Sequence, residues 1–192
     1  MSKGRLEAFS DGVMAVIITI MVLELKPPHS ASAAALASVT PAFLTYLLSF
    51  VFVGIYWNNH HHLMHAVHHV NGSILWANLH LLFWLSLVPF TTAWMGDNHL
   101  APVPVAAYGL VLLCAAIAYF VLTRVLLSAH ERDSRLARAL GNDFKGKVSL
   151  LIYATAVPLA FVHSLLSCLL YVLVVMMWLV PDRRFEKIVT EA

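Results

Sequence analysis

Three ionisable residues open the first apolar stretch of the sequence: Arg5, Glu7 and Asp11, within Arg5-Leu6-Glu7-Ala8-Phe9-Ser10-Asp11-Gly12-Val13. Charged groups at the start of a hydrocarbon-spanning segment are costly and need partners. At about 100° per residue, Phe9, Val16, Ile20 and Leu23 fall on one narrow apolar stripe, while Asp11 points to nearly the opposite side. Such a stripe could face lipid or a neighbouring helix. It could equally line a water-filled path closed by rings of apolar side chains, which gate by dewetting. Helical geometry alone leaves both open.

A second group of reactive side chains is Asn58-Asn59-His60-His61-His62-Leu63-Met64-His65-Ala66-Val67-His68-His69. On a helix, His61, His65 and His68, or His62, His65 and His69, share a face at spacings that would suit zinc. No cysteine or carboxylate joins them, and a polar helix end leaving the bilayer has the same composition. Imidazoles titrate near neutrality and shift one another's protonation, so pH sensing is a third reading. Cys114 and Cys168 both sit in apolar stretches and read as packed thiols.

The elements that must position these residues are membrane helices. Hydrophobic residues make up 60% of the chain and charged residues 11%, against roughly a quarter charged in a soluble domain. A hydrocarbon core of about 30 Å needs roughly 20 apolar residues at helical rise. Windows of that kind cover residues 6–25, 41 into the histidine run after Trp57, 73–93 and 102–127. The block 148–180 is too long for one span; Pro158, His163, Ser164 and Ser167 predict a tight outer turn between two short helices. The segments are apolar all round, without the alternation of barrel strands, so the expected class is all-α with six transmembrane helices and a single domain over residues 1–192.

Basic residues collect in cytosolic loops. Lys3 and Arg5 precede the first span, Arg124, Arg132, Arg135, Arg138, Lys145 and Lys147 surround the fourth-to-fifth loop, and Arg183, Arg184 and Lys187 follow the last. Six spans put all three clusters, and both termini, in the cytosol, with Lys26 alone outside. Glu7 and Asp11, and the lack of a small-residue cleavage site before Lys26, predict a retained span rather than a signal peptide. A net charge of +2 and a mixed-sign loop at 130–147 offer no surface for nucleic acid.

Arg5, Phe9, Ser10 and Asp11, followed by Gly-Val-Met-Ala-Val-Ile-Ile-Thr-Ile-Met-Val-Leu-Glu-Leu, resemble the signature of the transmembrane protein 175 family of potassium channels. Trp57, His60-His61-His62, Leu75-Trp76-Ala77-Asn78-Leu79 and Pro89-Phe90-Thr91-Thr92 resemble the second and third helices of its prokaryotic members. The resemblance covers about residues 5–97. It implies a six-helix subunit in a prokaryotic plasma membrane, with the first helix of each of four identical subunits lining a central pore for potassium and other monovalent cations. No enzyme activity or cofactor is implied.

Carried over by position, the family's apolar pore residues are Val16, Ile20 and Leu23, which also lie on the stripe picked out by helical geometry. Val16 stands where isoleucine is more usual, implying a slightly wider constriction. Thr19 matches a threonine near the ion path; its hydroxyl could equally bond back to the preceding turn. Arg5, Phe9, Ser10 and Asp11 form the family's structural motif, of which Arg5, Ser10 and Asp11 are implied to pack and hydrogen-bond behind the pore, with Trp57, Asn78 and one of His60, His61 and His62 in the network that holds the first helix. Glu24 falls near the outer mouth, where it could focus cations. The chain lacks the Thr-Val-Gly-Tyr-Gly loop of ordinary potassium channels, so selectivity should be weak. Competing expectations are a proton-permeable or pH-regulated channel and a histidine metal-binding membrane protein. A secondary transporter is disfavoured by the lack of an inverted repeat.

Overall fold

The computed structural model describes residues 2–65, 67–129 and 143–179. Arg132, Arg135, Arg138, Arg183, Arg184 and Lys187 lie outside the described residues. Within them the chain forms eight helices and no strand: α1 (Lys3–Leu23), α2 (Ala33–Ser38), α3 (Thr40–His65), α4 (Gly72–Ser86), α5 (Val88–Asp97), α6 (Pro102–Ala129), α7 (Phe144–Leu159) and α8 (Ser164–Leu179).

Four segments are long and apolar enough to cross a bilayer: Lys3–Leu23, Thr40–His65, Gly72–Asp97 and Pro102–Ala129. The third is made of α4 and α5 in succession. Pro89 lacks the N–H that would continue the helical ladder, and the chain breaks at Leu87 between the two helices. The end of the second segment carries the histidines as far as His65 in helical form.

The last apolar block is divided where Pro158 and His163 suggested. Helix α7 ends at Leu159, the turn is closed by the His163 amide on the Leu159 carbonyl at 2.8 Å, and α8 begins at Ser164. Ser167 Oγ donates to the Ala156 carbonyl at 2.9 Å and ties the two helices beside the turn. Each has 16 residues, a length of about 24 Å, short of the roughly 30 Å core.

Side-chain caps satisfy helix starts. Asn71 accepts from the Ile74 amide at α4, and Asp143, in a left-handed conformation, accepts from the Gly146 amide at α7. The short α2 is capped by Ser32 and buries no residue.

Helix α6 is the centre of the bundle, packed by α4, α5, α7 and α8, while α3 lies against α5 and α8. The core holds a cluster of aromatic rings, Phe52, Tyr108, Tyr153 and Tyr171, with neighbouring centroids 5.6 to 6.4 Å apart. Its polar atoms are paired. Thr92 Oγ1 donates to Ser49 Oγ at 2.7 Å, Ser49 shares a 3.0 Å hydrogen bond with the Tyr108 hydroxyl, and the Tyr171 hydroxyl donates to the Val105 carbonyl at 3.1 Å. That last bond needs Gly109, since a Cβ there would collide with the Tyr171 ring and hydroxyl. A Cβ on Gly96 would likewise meet Ala42 and Thr45, so α3 and α5 approach at backbone distance there.

Candidate ion pathway on the first helix

Helix α1 packs on α3, α4 and α5 through Leu6, Ser10, Met14, Ile17 and Met21. These residues recur at three- and four-residue intervals and define one buried face. Phe9, Val16, Ile20 and Leu23 all lie outside it; Val16 is 55%, Ile20 42% and Leu23 80% exposed. An apolar stripe is therefore held away from the bundle that carries it.

The buried face is fixed by a directed chain of hydrogen bonds. Ser10 Oγ donates to the Leu6 carbonyl at 2.9 Å, so its lone pair accepts from Asn78 Nδ2, also at 2.9 Å. That orients the amide, leaving Asn78 Oδ1 to accept from His60 Nε2 at 2.7 Å. The proton of neutral His60 is thereby placed on Nε2. Ser10, Asn78 and His60 are all buried, so each would carry the cost of a buried polar group if its partner were removed.

A second bond lies one residue further along: Trp57 Nε1 donates to Asp11 Oδ1 at 3.1 Å. Asp11 is half-buried and Trp57 exposed. At the start of the helix, Lys3 Nζ donates to the His65 carbonyl at 3.2 Å, tying α1 to the end of α3. Arg5 is exposed and, among the described residues, engages none of this network. Phe9 lies on the exposed side, so the four motif residues divide: Ser10 and Asp11 face the bundle, Arg5 and Phe9 face away.

Thr19 is exposed beside the stripe, and its hydroxyl donates to the Val16 carbonyl at 2.8 Å. Its donor is used within the helix, while its oxygen lone pairs stay directed outward.

His60 is the histidine that joins the network. The buried residues of α3 are Thr45, Ser49, Phe52, Val53, His60, Leu63 and Met64, and the helical period running from Phe52 and Val53 to Leu63 and Met64 selects His60 and passes over His61 and His62. His61 instead stacks near Trp57 at 6.0 Å and meets the His65 ring at 4.5 Å. Among the described residues no three histidine, cysteine or acidic side chains converge on a point that could hold a metal ion. The metal-binding expectation for the histidine run has no donor set there, because the helix ends at His65 and His68 and His69 lie beyond it, so the helical spacing that joined them to His61, His62 and His65 does not hold.

Beyond Ile20, α1 and α5 border an open trough of about 510 Å³ lined by Ile20, Glu24, Ser86, Phe90, Trp94 and Asp97 among others. Glu24 and Asp97 are both exposed along it.

Among the described residues the protein is an all-α bundle with helices long and apolar enough to cross a membrane, which buries a polar network behind its first helix and leaves that helix's apolar stripe exposed. The profile of the family described as Endosomal/lysosomal potassium channel TMEM175 matches residues 5–89. A potassium channel from Chryseobacterium sp. (strain P1-3) is 52% identical over 191 residues, with 100% of each chain covered. The crystal structure of a lysosomal potassium-selective channel TMEM175 homolog from Chamaesiphon minutus superposes with a TM-score of 0.78 at 28% identity, covering 92% of this chain and 95% of that one. The human endosomal/lysosomal proton channel TMEM175 is 41% identical over 75 residues, which are 33% of this chain and 15% of the human protein. The chain belongs to the TMEM175 family.

Proposed function

We propose that this chain is one subunit of a homotetrameric, potassium-permeable and weakly selective monovalent cation channel of a prokaryotic plasma membrane. Six crossings put both termini in the cytosol: α1, α3, α4 with α5, α6, and the shorter α7 and α8. The positions of Lys3, Arg124, Lys145 and Lys147 at helix ends on one side support this orientation. The relatives from Chryseobacterium and Chamaesiphon, which carry potassium in their names, support the choice of ion.

The observation that carries the reading is the outward apolar stripe of α1, with Val16, Ile20 and Leu23 exposed while Ser10 and Asp11 are pinned behind it. One subunit cannot enclose a path with a single helix face. Four copies of α1 around an axis would form three apolar rings, at Val16, Ile20 and Leu23. Rings without carbonyl or carboxylate ligands offer an ion nothing in exchange for its water shell. They act as a dewetting barrier and discriminate only modestly between monovalent cations. Thr19, one step off the stripe, is the hydroxyl closest to that path.

The test is potassium uptake into proteoliposomes, driven by collapsing the membrane potential with a proton ionophore, for wild type and Ile20→Asn. Faster and less selective uptake in the variant is the expected result. A reconstituted tetramer silent in both forms would end the proposal.

A proton-permeable channel is the second reading, favoured by the name of the human relative and by the adjacent His61 and His65 rings. Reversal potentials that follow a pH gradient at fixed potassium would select it.

A further inference from the structure

We infer that a chamber enclosed by α3, α6, α7 and α8, apart from the first helix and its stripe, is a binding site for a small neutral alcohol of two or three carbons.

The chamber has a volume of about 40 Å³, and Tyr56 of α3, Tyr119 of α6, Tyr153 of α7 and Trp178 of α8 are among the residues that line it. Most of the polar groups on its wall are engaged within the protein. Trp178 Nε1 donates to Ser149 Oγ at 2.9 Å, Ser149 Oγ donates to the Lys145 carbonyl at 2.8 Å, and the Tyr119 hydroxyl donates to the Asn59 carbonyl at 3.4 Å. The Asp143 carboxylate serves as the cap of α7, accepting from the Gly146 amide.

Tyr153 is the exception to the pairing found elsewhere in the aromatic core. It is 2% exposed, and among the described residues its hydroxyl has no hydrogen-bond partner. No fully enclosed side-chain nitrogen or oxygen of the described residues lacks a partner. The Tyr153 oxygen therefore opens onto the chamber that the residue lines. Tyr56, on the same wall, also makes no hydrogen bond through its hydroxyl among the described residues. A buried hydroxyl without a partner is costly, so the chamber is built for an occupant that bonds to it.

The rest of the lining selects the occupant. Phe52, Ile55, Phe120 and Leu150 and the faces of the aromatic rings offer nothing to water, and a buried water needs two to four polar partners. An alcohol satisfies both kinds of surface. Its hydroxyl donates to one tyrosine oxygen and accepts from the other, while its carbons lie on the apolar wall. A carbonyl compound can only accept, and the one carboxylate near the chamber is already committed to its helix cap, so a cation gains little there. Size sets the chain length. At about 10–15 Å³ for each water-sized group the chamber takes about three or four of them, whereas a cavity that holds benzene measures about 150 Å³.

The experiment uses the full chain in lipid nanodiscs and 2-bromoethanol as the probe, which carries a hydroxyl, two carbons and a bromine that quenches indole fluorescence on contact. Quenching should show a saturating component above the linear collisional quenching of the exposed tryptophans. Trp178→Phe should remove that component and so assign it. Tyr153→Phe, which keeps the ring and deletes the hydroxyl, should weaken the apparent affinity about tenfold, as the loss of one hydrogen bond does. Ala116→Leu, which fills the chamber, should abolish it with unchanged helical content. Crystals grown with 2-bromoethanol should give an anomalous bromine peak in the chamber. Purely linear quenching, or ordered water alone in the chamber, would overturn the inference. Bromoethane lacks the hydroxyl, and if it bound as tightly as 2-bromoethanol the chamber would be an apolar void and the alcohol site would be lost. That comparison, made on the wild type, decides the matter even where a variant fails to fold.

Discussion

The side-chain amide of Asn78 donates to Ser10 Oγ at 2.9 Å and so joins the third apolar span to the buried face of the first. Its oxygen takes the His60 proton at 2.7 Å, which makes Asn78 the one residue touching both α1 and α3 through this chain. Replacing it by alanine removes both bonds and leaves the His60 Nε2–H without its acceptor in a buried site, while Ser10 keeps its bond to the Leu6 carbonyl. The expected loss is about 1–3 kcal/mol per unsatisfied buried group, against about 0.6 kcal/mol for an average interhelical bond in a membrane. Asn78→Ala should therefore lower the thermal midpoint of the purified protein clearly more than Ser10→Ala. Equal shifts in the two variants would contradict the directed chain.

Gly109 and Tyr171 make a second prediction, of the opposite kind, where excess volume is harmful. The Tyr171 hydroxyl occupies the space above Gly109 and bonds the Val105 carbonyl at 3.1 Å. Gly109→Ala should destabilise by about 1–3 kcal/mol, as overpacking does. Tyr171→Phe removes the colliding oxygen but leaves ring atoms close to the new methyl. The double variant should recover part of the loss, with a coupling energy of about 0.5–3 kcal/mol in a mutant cycle. Strict additivity would show that the two side chains do not compete for the same space.

The sequence shows the long spans well because a lipid-facing helix must be apolar along its whole length, and that is a property of composition. The turn near Pro158 was also legible, since a proline and three polar side chains interrupt one apolar run. The break at Leu87 was not, although Pro89 stood in plain sight: proline is tolerated in membrane helices, so its presence alone does not locate a break. The division of Arg5 and Phe9 from Ser10 and Asp11 follows from helical angle, but a motif quoted as one string conceals it. His60 could have been chosen over its neighbours by following the period of Phe52, Val53, Leu63 and Met64. The run of three histidines drew attention to ligand spacing instead. The trough is made by residues 62 to 77 positions apart in sequence, from Glu24 to Ser86 and Ile20 to Asp97, and no local pattern announces such a meeting.

Thr19 tests whether a hydroxyl beside the stripe matters to ions. Its proton is committed to the Val16 carbonyl at 2.8 Å, so what it can present is an oxygen lone pair. Thr19→Val keeps the shape and removes that oxygen. If cations pass near it, the potassium-to-sodium permeability ratio measured from reversal potentials should fall in the variant while the protein remains a folded tetramer. Thr19→Ser, which retains the oxygen, should preserve the ratio. Identical ratios in all three proteins would remove Thr19 from the path.

Ile20 and Met21 are adjacent in sequence and differ in exposure, 42% against 2%, and that contrast lets substitutions at the two positions test the proposed pore lining against a packing surface. A polar side chain at Ile20 would hydrate an apolar ring without entering the core of its own subunit. Lowering the barrier there by about 1.4 kcal/mol would raise flux about tenfold. The same asparagine at Met21 would be driven into the bundle against α3, α4 and α5, where burying an unpaired amide costs on the order of 1–3 kcal/mol. Ile20→Asn should therefore raise potassium uptake with little change in thermal midpoint, and Met21→Asn should lower the midpoint without raising uptake. If Met21→Asn were the leakier of the two, the ion path would lie on the face of α1 now assigned to packing, and the stripe would be a lipid-facing surface.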